Sequence, residues 1–334
     1  MKRFVTAGLV AIAAGAGLLL GLAWLAARSL VMPVRRPLPR TPAELDLVFE
    51  SLDLAGADGI RLASWWIPAD RPRATAVLVH GFRATRNELL DHAPYLHTAG
   101  LDVVLYDARA CGQSGGTLST MGWREQADLR AVIDQVWSRT GGLPVVVLGH
   151  SLGAATAILE GADDARVIAL VLEAPFTAID DVVGRSFRHF TRPHLPAFPF
   201  APLVVRLAEA RVGQHRRVVR PIDVIDRLAP RPVLLVSGRH DAFVTPADAH
   251  RLADRAGSTC TWWLIEEAGH PGGEHDPFKT VPDEYQRRVV DLVDRALASL
   301  SVASGPQSAA PDRTSEAPAP QSAAPPPTTG SSVA

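Results

Sequence analysis

The pentapeptide Gly149-His150-Ser151-Leu152-Gly153 constrains this chain more than any other feature. It follows the apolar run Val145-Val146-Val147-Leu148 and opens a helix-like stretch, Ala154-Ala155-Thr156-Ala157-Ile158-Leu159. Strand, Gly-x-Ser-x-Gly, helix is the setting in which a serine sits on a strained turn with its hydroxyl exposed. A side chain at either glycine would crowd so sharp a turn. A serine hydroxyl is a weak nucleophile, so such a chain must also supply a base, a carboxylate to orient the base, and donors for an oxyanion.

The surrounding segments alternate between strand and helix. Leu45 to Leu54 and Ile60 to Ile67 read as two strands joined by a turn at Ala57-Asp58-Gly59. Ala74 to Val79 and Leu101 to Tyr106 read as buried strands, with a helix capped by Asn87 between them. Trp123 to Ser138 has helical spacing; Val167 to Leu172, Pro232 to Val236 and Thr261 to Ile265 complete the strands. A last amphipathic helix spans Asp283 to Leu300. Alternation of this kind implies an α/β fold, a mostly parallel, doubly wound sheet covered on both faces. The domain runs from 45 to 300. Residues 176–229 interrupt the rhythm and read as a small cap insertion, with Phe187, Phe190, Phe198 and Phe200 favouring a packed element.

Both ends differ from this domain. Met1-Lys2-Arg3 precedes an uncharged, mostly apolar run from Phe4 to Ala27, long enough to cross a hydrocarbon core of about 30 Å. A cleaved signal peptide has an apolar region of only about 7–15 residues. The small-x-small pattern Ala27-Arg28-Ser29 straddles a charge, so residues 1–30 read as an N-terminal transmembrane anchor or signal segment, with a single-pass anchor favoured over a cleaved signal. Basic residues lie on both sides of the run, which leaves the side of the membrane open. Residues 31–44 read as a Pro- and Arg-rich linker. Residues 301–334 contain Pro-Gln-Ser-Ala-Ala-Pro twice and read as a disordered Pro/Ala/Ser tail. The formal net charge of −1 argues against a nucleic-acid partner. Cys111 and Cys260 form no Cys-x-x-Cys spacing, no metal ligand set is evident, and the chemistry calls for no cofactor.

Ser151, Asp241 and His270 each fall where a strand passes into a loop, the carboxyl edge at which open parallel sheets carry their sites. Their order is Ser, Asp, His. His80-Gly81-Phe82, Asp107-x-Arg109-x-x-Gly112-x-Ser114, Gly149-His150-Ser151-Leu152-Gly153, Gly238-x-x-Asp241 and Gly269-His270 together resemble the α/β-hydrolase superfamily, in its serine esterase and peptidase-like branch. The resemblance spans Leu47 to Leu300. It implies Ser151 as nucleophile, His270 as general base and acid, and Asp241 as the orienting carboxylate. It also implies an oxyanion hole from the backbone N–H groups of Phe82 and Leu152.

Rivals exist for two roles. Glu173, in Glu173-Ala174-Pro175-Phe176, is the alternative acid, and His275 the alternative base. His80 and His150 read as residues that shape backbone, Arg109 as a loop organiser, and Cys111 as loop variation where the family often has His. Gly115-Gly116 is weak as a phosphate site, since no Lys-Ser/Thr follows. A serine nucleophile argues against the haloalkane dehalogenase and epoxide hydrolase types. The reading is a membrane-anchored serine hydrolase acting on a small-molecule carboxylic ester, lipid-derived if the cap aromatics line the site. The alternatives are a serine peptidase or amidase with the same triad, and a non-catalytic scaffold of the same fold.

Overall fold

A computed structural model describes residues 2–190, 197–214 and 218–303. Eight strands form one sheet: β1 (Glu50–Ala55), β2 (Arg61–Ile67), β3 (Ala74–Val79), β4 (Leu101–Tyr106), β5 (Val145–His150), β6 (Val167–Glu173), β7 (Val233–Gly238) and β8 (Cys260–Ile265). Nine α-helices accompany them among the described residues: α1 (Lys2–Val31), α2 (Ala93–Thr98), α3 (Trp123–Thr140), α4 (Leu152–Gly161), α5 (Ile179–Phe190), α6 (Ala197–Val212), α7 (Pro246–Ala256), α8 (Pro277–Thr280) and α9 (Pro282–Ala303).

The strand order is β1-β2-β4-β3-β5-β6-β7-β8. Only β2 runs antiparallel to its neighbours, β1 and β4. The rest of the sheet is parallel. Every residue of β3, β4, β5, β6 and β7 is buried, because helices cover both faces. One face packs Leu96, Val289 and Leu292 of α2 and α9 against Leu78, Leu105 and Leu148. The other packs Leu129, Ile158 and Leu252 of α3, α4 and α7 against Val77, Val147 and Leu235. The fold class read from the sequence is the fold observed.

The topology fixes where a ligand fits. From β3 the chain steps outward to β4, then returns to β5 on the other side and continues toward β8. Loops after β3 and β5 therefore leave the sheet in opposite directions, opening a crevice between their carboxyl ends. Gly81-Phe82 follows β3 and Ser151 follows β5, so both border that crevice.

Several boundaries differ from the sequence reading. The strand expected from Leu45 begins at Glu50, because Pro42–Leu45 forms a short 3-10 turn whose N-cap Thr41 backbone is held by Glu44. A 3-10 segment, Arg86–His92, replaces the first part of the helix that Asn87 was expected to cap; Asn87 instead donates to the carbonyl of Arg40. Helix α7 was missed, although Thr245-Pro246-Ala247-Asp248 carries a reciprocal cap: Asp248 N–H donates to Thr245 Oγ1, and Thr245 N–H to Asp248. The 31–44 segment is tied down: Val34 bridges to Cys111, and Arg35 donates to the carbonyls of Cys111 and Gly116. The side chains of Phe187, Phe190 and Phe198, and the tail beyond residue 303, lie outside the described residues.

Helix α1 packs Ala23, Ala27 and Val31 against Val204 and Ala208 of α6. Its earlier turns, from Phe4 to Leu22, are exposed.

Candidate active site

Ser151 sits at the end of β5 with φ 49° and ψ −108°, a left-handed backbone that L residues adopt only at a cost. Its N–H donates to the carbonyl of Glu173 on β6, 2.8 Å away, which pins the turn to the neighbouring strand. The glycines on either side answer to contacts. A Cβ at Gly153 would lie 2.0 Å from the carbonyl oxygen of Val79, and one at Gly149 would lie 2.6 Å from Ala154 N. Helix α4 can therefore start directly against the backbone of β3, lifting Ser151 above the sheet.

His270 Nε2 lies 3.1 Å from Ser151 Oγ, and its Nδ1 lies 2.7 Å from Asp241 Oδ2. The other oxygen of Asp241 accepts from the N–H groups of Phe243 and Val244 at 2.8 and 2.9 Å. With its carboxylate oriented by these two donors, Asp241 is placed to accept a hydrogen bond from His270 Nδ1–H, leaving the Nε2 lone pair toward the serine hydroxyl. The ring of Phe243 meets His270 edge-on at 5.2 Å and limits its swing. The structure thus brings the three sequence-nominated side chains together.

The two rivals lie elsewhere. Glu173 Oε2 is 2.7 Å from His150 Nε2, not beside His270. His275 is exposed and contributes a backbone carbonyl to Gly269 N–H. His80 joins loops, its Nδ1 donating to the carbonyl of Gly81 and its Nε2 accepting from Ala108 N–H. Arg109 forms a two-point pair with Asp128 at 2.6 and 2.7 Å. The thiols of Cys111 and Cys260 are free, and burial pushes each up to about 12.

Phe82 and Leu152 both line the cleft above Ser151. Leu152 is the first residue of α4, where N–H groups have no partner within the helix. Phe82 is held through its neighbours. Gly81 N–H donates to Glu88 Oε2 at 2.6 Å, and Arg83, with φ 59°, turns the chain sharply. Arg83 also donates to the carbonyl of Ser29 on α1 at 2.7 Å. Sequence reasoning missed Glu88 and Arg83. The reach of Glu88 back to Gly81 follows from the intervening turn, and no local pattern announces it.

Behind the serine lies a buried cluster. His150 is nearly enclosed, with Glu173 at 2.7 Å from one ring nitrogen and Glu88 at 3.6 Å from the other. Neither contact has the alignment of a good hydrogen bond, so the interaction is chiefly ionic. Burial opposes the charge on His150, but the facing carboxylates of Glu173 and Glu88 outweigh it and raise its pKa to about 10. Adjacent His92 moves the other way, lowered to about 3 chiefly by burial, and its Nδ1 meets Tyr95 Oη at 3.0 Å. His92, His150 and Glu173 are a metal-ligand type of group. Ligands on a tetrahedral zinc sit roughly 3.4 Å apart, so the 2.7 Å contact between His150 and Glu173 describes an ion pair rather than two ligands spread around a metal.

The cleft has a volume of ≈ 680 Å³, within the range of small-molecule sites. Phe176, Ile179, Val183, Val204 and Phe243 make its walls largely apolar, and Ser151 and His270 stand on its floor.

Comparison with known proteins supports the fold. Residues 70–201 match the family described as serine aminopeptidase, S33. The chain is 29% identical over 214 residues to the uncharacterized protein YqkD of Bacillus subtilis, a match covering 61% of this chain and 66%, just under two thirds, of that protein. It is 29% identical over 229 residues to the α/β hydrolase domain-containing protein WAV2 of Arabidopsis thaliana, covering 65% of this chain and 70% of the relative. Among solved structures, the Pyrococcus furiosus esterase Pf2001 superposes with a TM-score of 0.66 at 22% identity, over 80% of this chain and all (100%) of the esterase. Sheet order, the turn at Ser151 and the solved structures converge on one conclusion: the chain has the α/β-hydrolase fold and is similar in sequence to members of that superfamily.

Proposed function

We propose that this protein is a membrane-anchored serine hydrolase that cleaves carboxylic esters through an acyl-enzyme on Ser151. The observation that carries the reading is the relay Asp241, His270, Ser151, with spacings of 2.7 and 3.1 Å, at the floor of an apolar cleft. Ser151 Oγ attacks the carbonyl carbon while its proton passes to His270 Nε2. Asp241 keeps His270 in the required tautomer and stabilises the imidazolium. The negative charge gathering on the carbonyl oxygen is met by the N–H groups of Leu152 and Phe82; losing one such donor typically costs about 3–4 kcal/mol of barrier. When the intermediate collapses, the ester C–O bond breaks and the alcohol leaves with the proton from His270. Water then repeats the sequence, giving up a proton to His270, releasing the acid and restoring the serine.

Helix α1 supports the anchoring. The stretch Phe4–Val31 is 28 residues long and apolar, and only its last turns are covered by protein. Cleavage near Ala27 would remove Ala23 and Ala26, one packed against α6 and the other in the cleft wall. The anchor reading fits that packing better than the signal reading does.

The match to a serine aminopeptidase family favours one second reading, hydrolysis of an amide. An aminopeptidase needs an anionic group to hold the substrate ammonium. Glu88 is the carboxylate lining the cleft, and it is engaged by Gly81 N–H and His150. Ester cleavage is therefore preferred. A panel of nitrophenyl esters and aminoacyl nitroanilides, together with fluorophosphonate labelling, tests both. Ester turnover lost in Ser151→Ala supports the proposal. Turnover of nitroanilides alone would replace it with the peptidase, and a folded protein that takes no label would replace it with the scaffold.

A further inference from the structure

The wall of the cleft is partly built by the membrane helix itself. Ala26, Ser29 and Leu30 of α1 face the same cavity as Ser151 and His270, opposite Phe200 and Val204 of α6. Upstream of that contact, the nineteen residues from Phe4 to Leu22 are all exposed. At 1.5 Å per residue they span about 28 Å, close to the roughly 30 Å of a hydrocarbon core. The first residue buried against α6 is Ala23, immediately after this run. No helix is left over to hold the catalytic domain away from the bilayer. Trp24, with Arg28 stacked over its ring at 5.5 Å, falls at the same level, the pairing of aromatic and cation found where membrane meets water. The cleft wall then begins about 6 Å below the hydrocarbon edge, at Ala26, and ends about 12 Å below it, at Leu30.

We propose that the substrate is a long-chain acyl ester dissolved in the bilayer, which enters the cleft laterally along the seam between α1 and α6. This rests on the ester-hydrolase reading and names the source and class of its substrate. The acyl chain would stay in an apolar environment throughout. It would leave the lipid tails, pass between Ala26, Leu30 and Val204, and meet Ser151 without crossing water. The same helix reaches the reaction centre by another route. The carbonyl of Ser29 accepts from Arg83, the neighbour of Phe82, so the anchor also braces the loop proposed to hold the oxyanion.

The test uses the full chain in phosphatidylcholine vesicles. The vesicles contain 4-methylumbelliferyl oleate in the same bilayer, with water-soluble 4-methylumbelliferyl acetate as a second substrate. For lateral entry, oleate turnover per protein molecule follows the mole fraction of ester in the membrane and is unchanged when the vesicles are diluted about fivefold, because the bilayer sets the effective concentration. A fall in proportion to dilution would overturn the proposal in favour of entry from water. Turnover of the acetate with none of the oleate would overturn lateral entry and leave the esterase reading standing. Turnover of neither would remove both. A variant of the chain inserts a polar helical heptad between Leu22 and Ala23, raising the domain by about 10 Å while nearly preserving helical phase. Oleate turnover should fall at least about tenfold, with acetate turnover kept within about twofold, since no residue of the cleft is altered. Equal oleate turnover in the variant and the parent would defeat the proposal.

Discussion

Two carboxylate–imidazole pairs flank Ser151, and both have an N···O spacing of 2.7 Å. Asp241 with His270 faces the cleft; Glu173 with His150 lies behind the serine in the core. In the first pair the imidazole side chain is 23% exposed, in the second 1%. The second ring nitrogen of His270 reaches Ser151 Oγ, whereas that of His150 faces Glu88. Distance alone therefore does not mark a proton relay. A relay needs one nitrogen committed to a carboxylate, the other turned to a group that can release a proton, and a wall open to substrate. The buried pair meets the first condition and fails the other two. Its charges instead fasten the end of β5, immediately before Ser151, to the end of β6.

The contrast breaks most visibly if the cleft-facing group is interrupted. His270→Ala or Ser151→Ala should lower ester kcat by about ten-thousandfold or more while the melting temperature stays nearly constant. Thermal melts and steady-state rates on the same preparations check this. Asp241→Asn should follow, with a loss of about a thousandfold to ten-thousandfold, because the amide favours the wrong tautomer of His270. If Asp241→Asn were harmless while Glu173→Gln abolished turnover in a fully folded protein, the roles assigned to the two pairs would be reversed.

Glu173→Gln should act on stability instead. Removing one partner of a buried ion pair typically costs about 3–5 kcal/mol, read as a lowered denaturation midpoint. The pH dependence sharpens the same point. The folded pKa of His150 is raised to about 10 from an ordinary 6.5, so the stabilisation from its charge is complete below about 6.5 and is lost as pH rises through about 10. Melting temperature should decline across that alkaline window, and His150→Gln should flatten the decline. His92, held neutral in the fold, acts at the other end, weakening the protein as pH falls below its ordinary range toward about 3. The smallest effect is expected at Glu88. Glu88→Gln retains an acceptor for Gly81 N–H and should change kcat by only a few-fold, whereas Glu88→Ala should lower it about tenfold by loosening the loop that carries Phe82. Binding of a tetrahedral phosphonate analogue separates that loss from a change in KM.

Much of this site was legible before any coordinates. The strands β3 to β7 are short apolar runs between turn signals, so their existence followed from pattern, and the serine turn announced itself through Gly149 and Gly153. Ser151, Asp241 and His270 stood out as candidates because each follows the end of a strand. The layer beneath those residues was not legible. Glu88 contacts Gly81 only because a 3-10 segment folds back on itself, and His150 is charged only because β6 brings Glu173 beside it. Glu88 adds to that charge from the other side of the ring, and none of these contacts is a property of local sequence. The overlong reading of β1 has a similar origin: Leu45 and Leu47 look like strand residues, but the Glu44 contact to Thr41 closes a turn first. The apolar character of α1 was plain, whereas its packing against α6 was not, since complementarity between distant helices leaves no mark in either one.

Gly153 has a consequence beyond permitting a turn. Because Gly153 brings the first turn of α4 against the backbone of β3, the height of Ser151 Oγ over the sheet is set at that point by main-chain atoms that do not vary with residue type. Substitutions that reshape the hydrophobic layers can accumulate without displacing the chemistry. A chain carrying such a seat can vary the side chains that line its cleft while Ser151 stays in position.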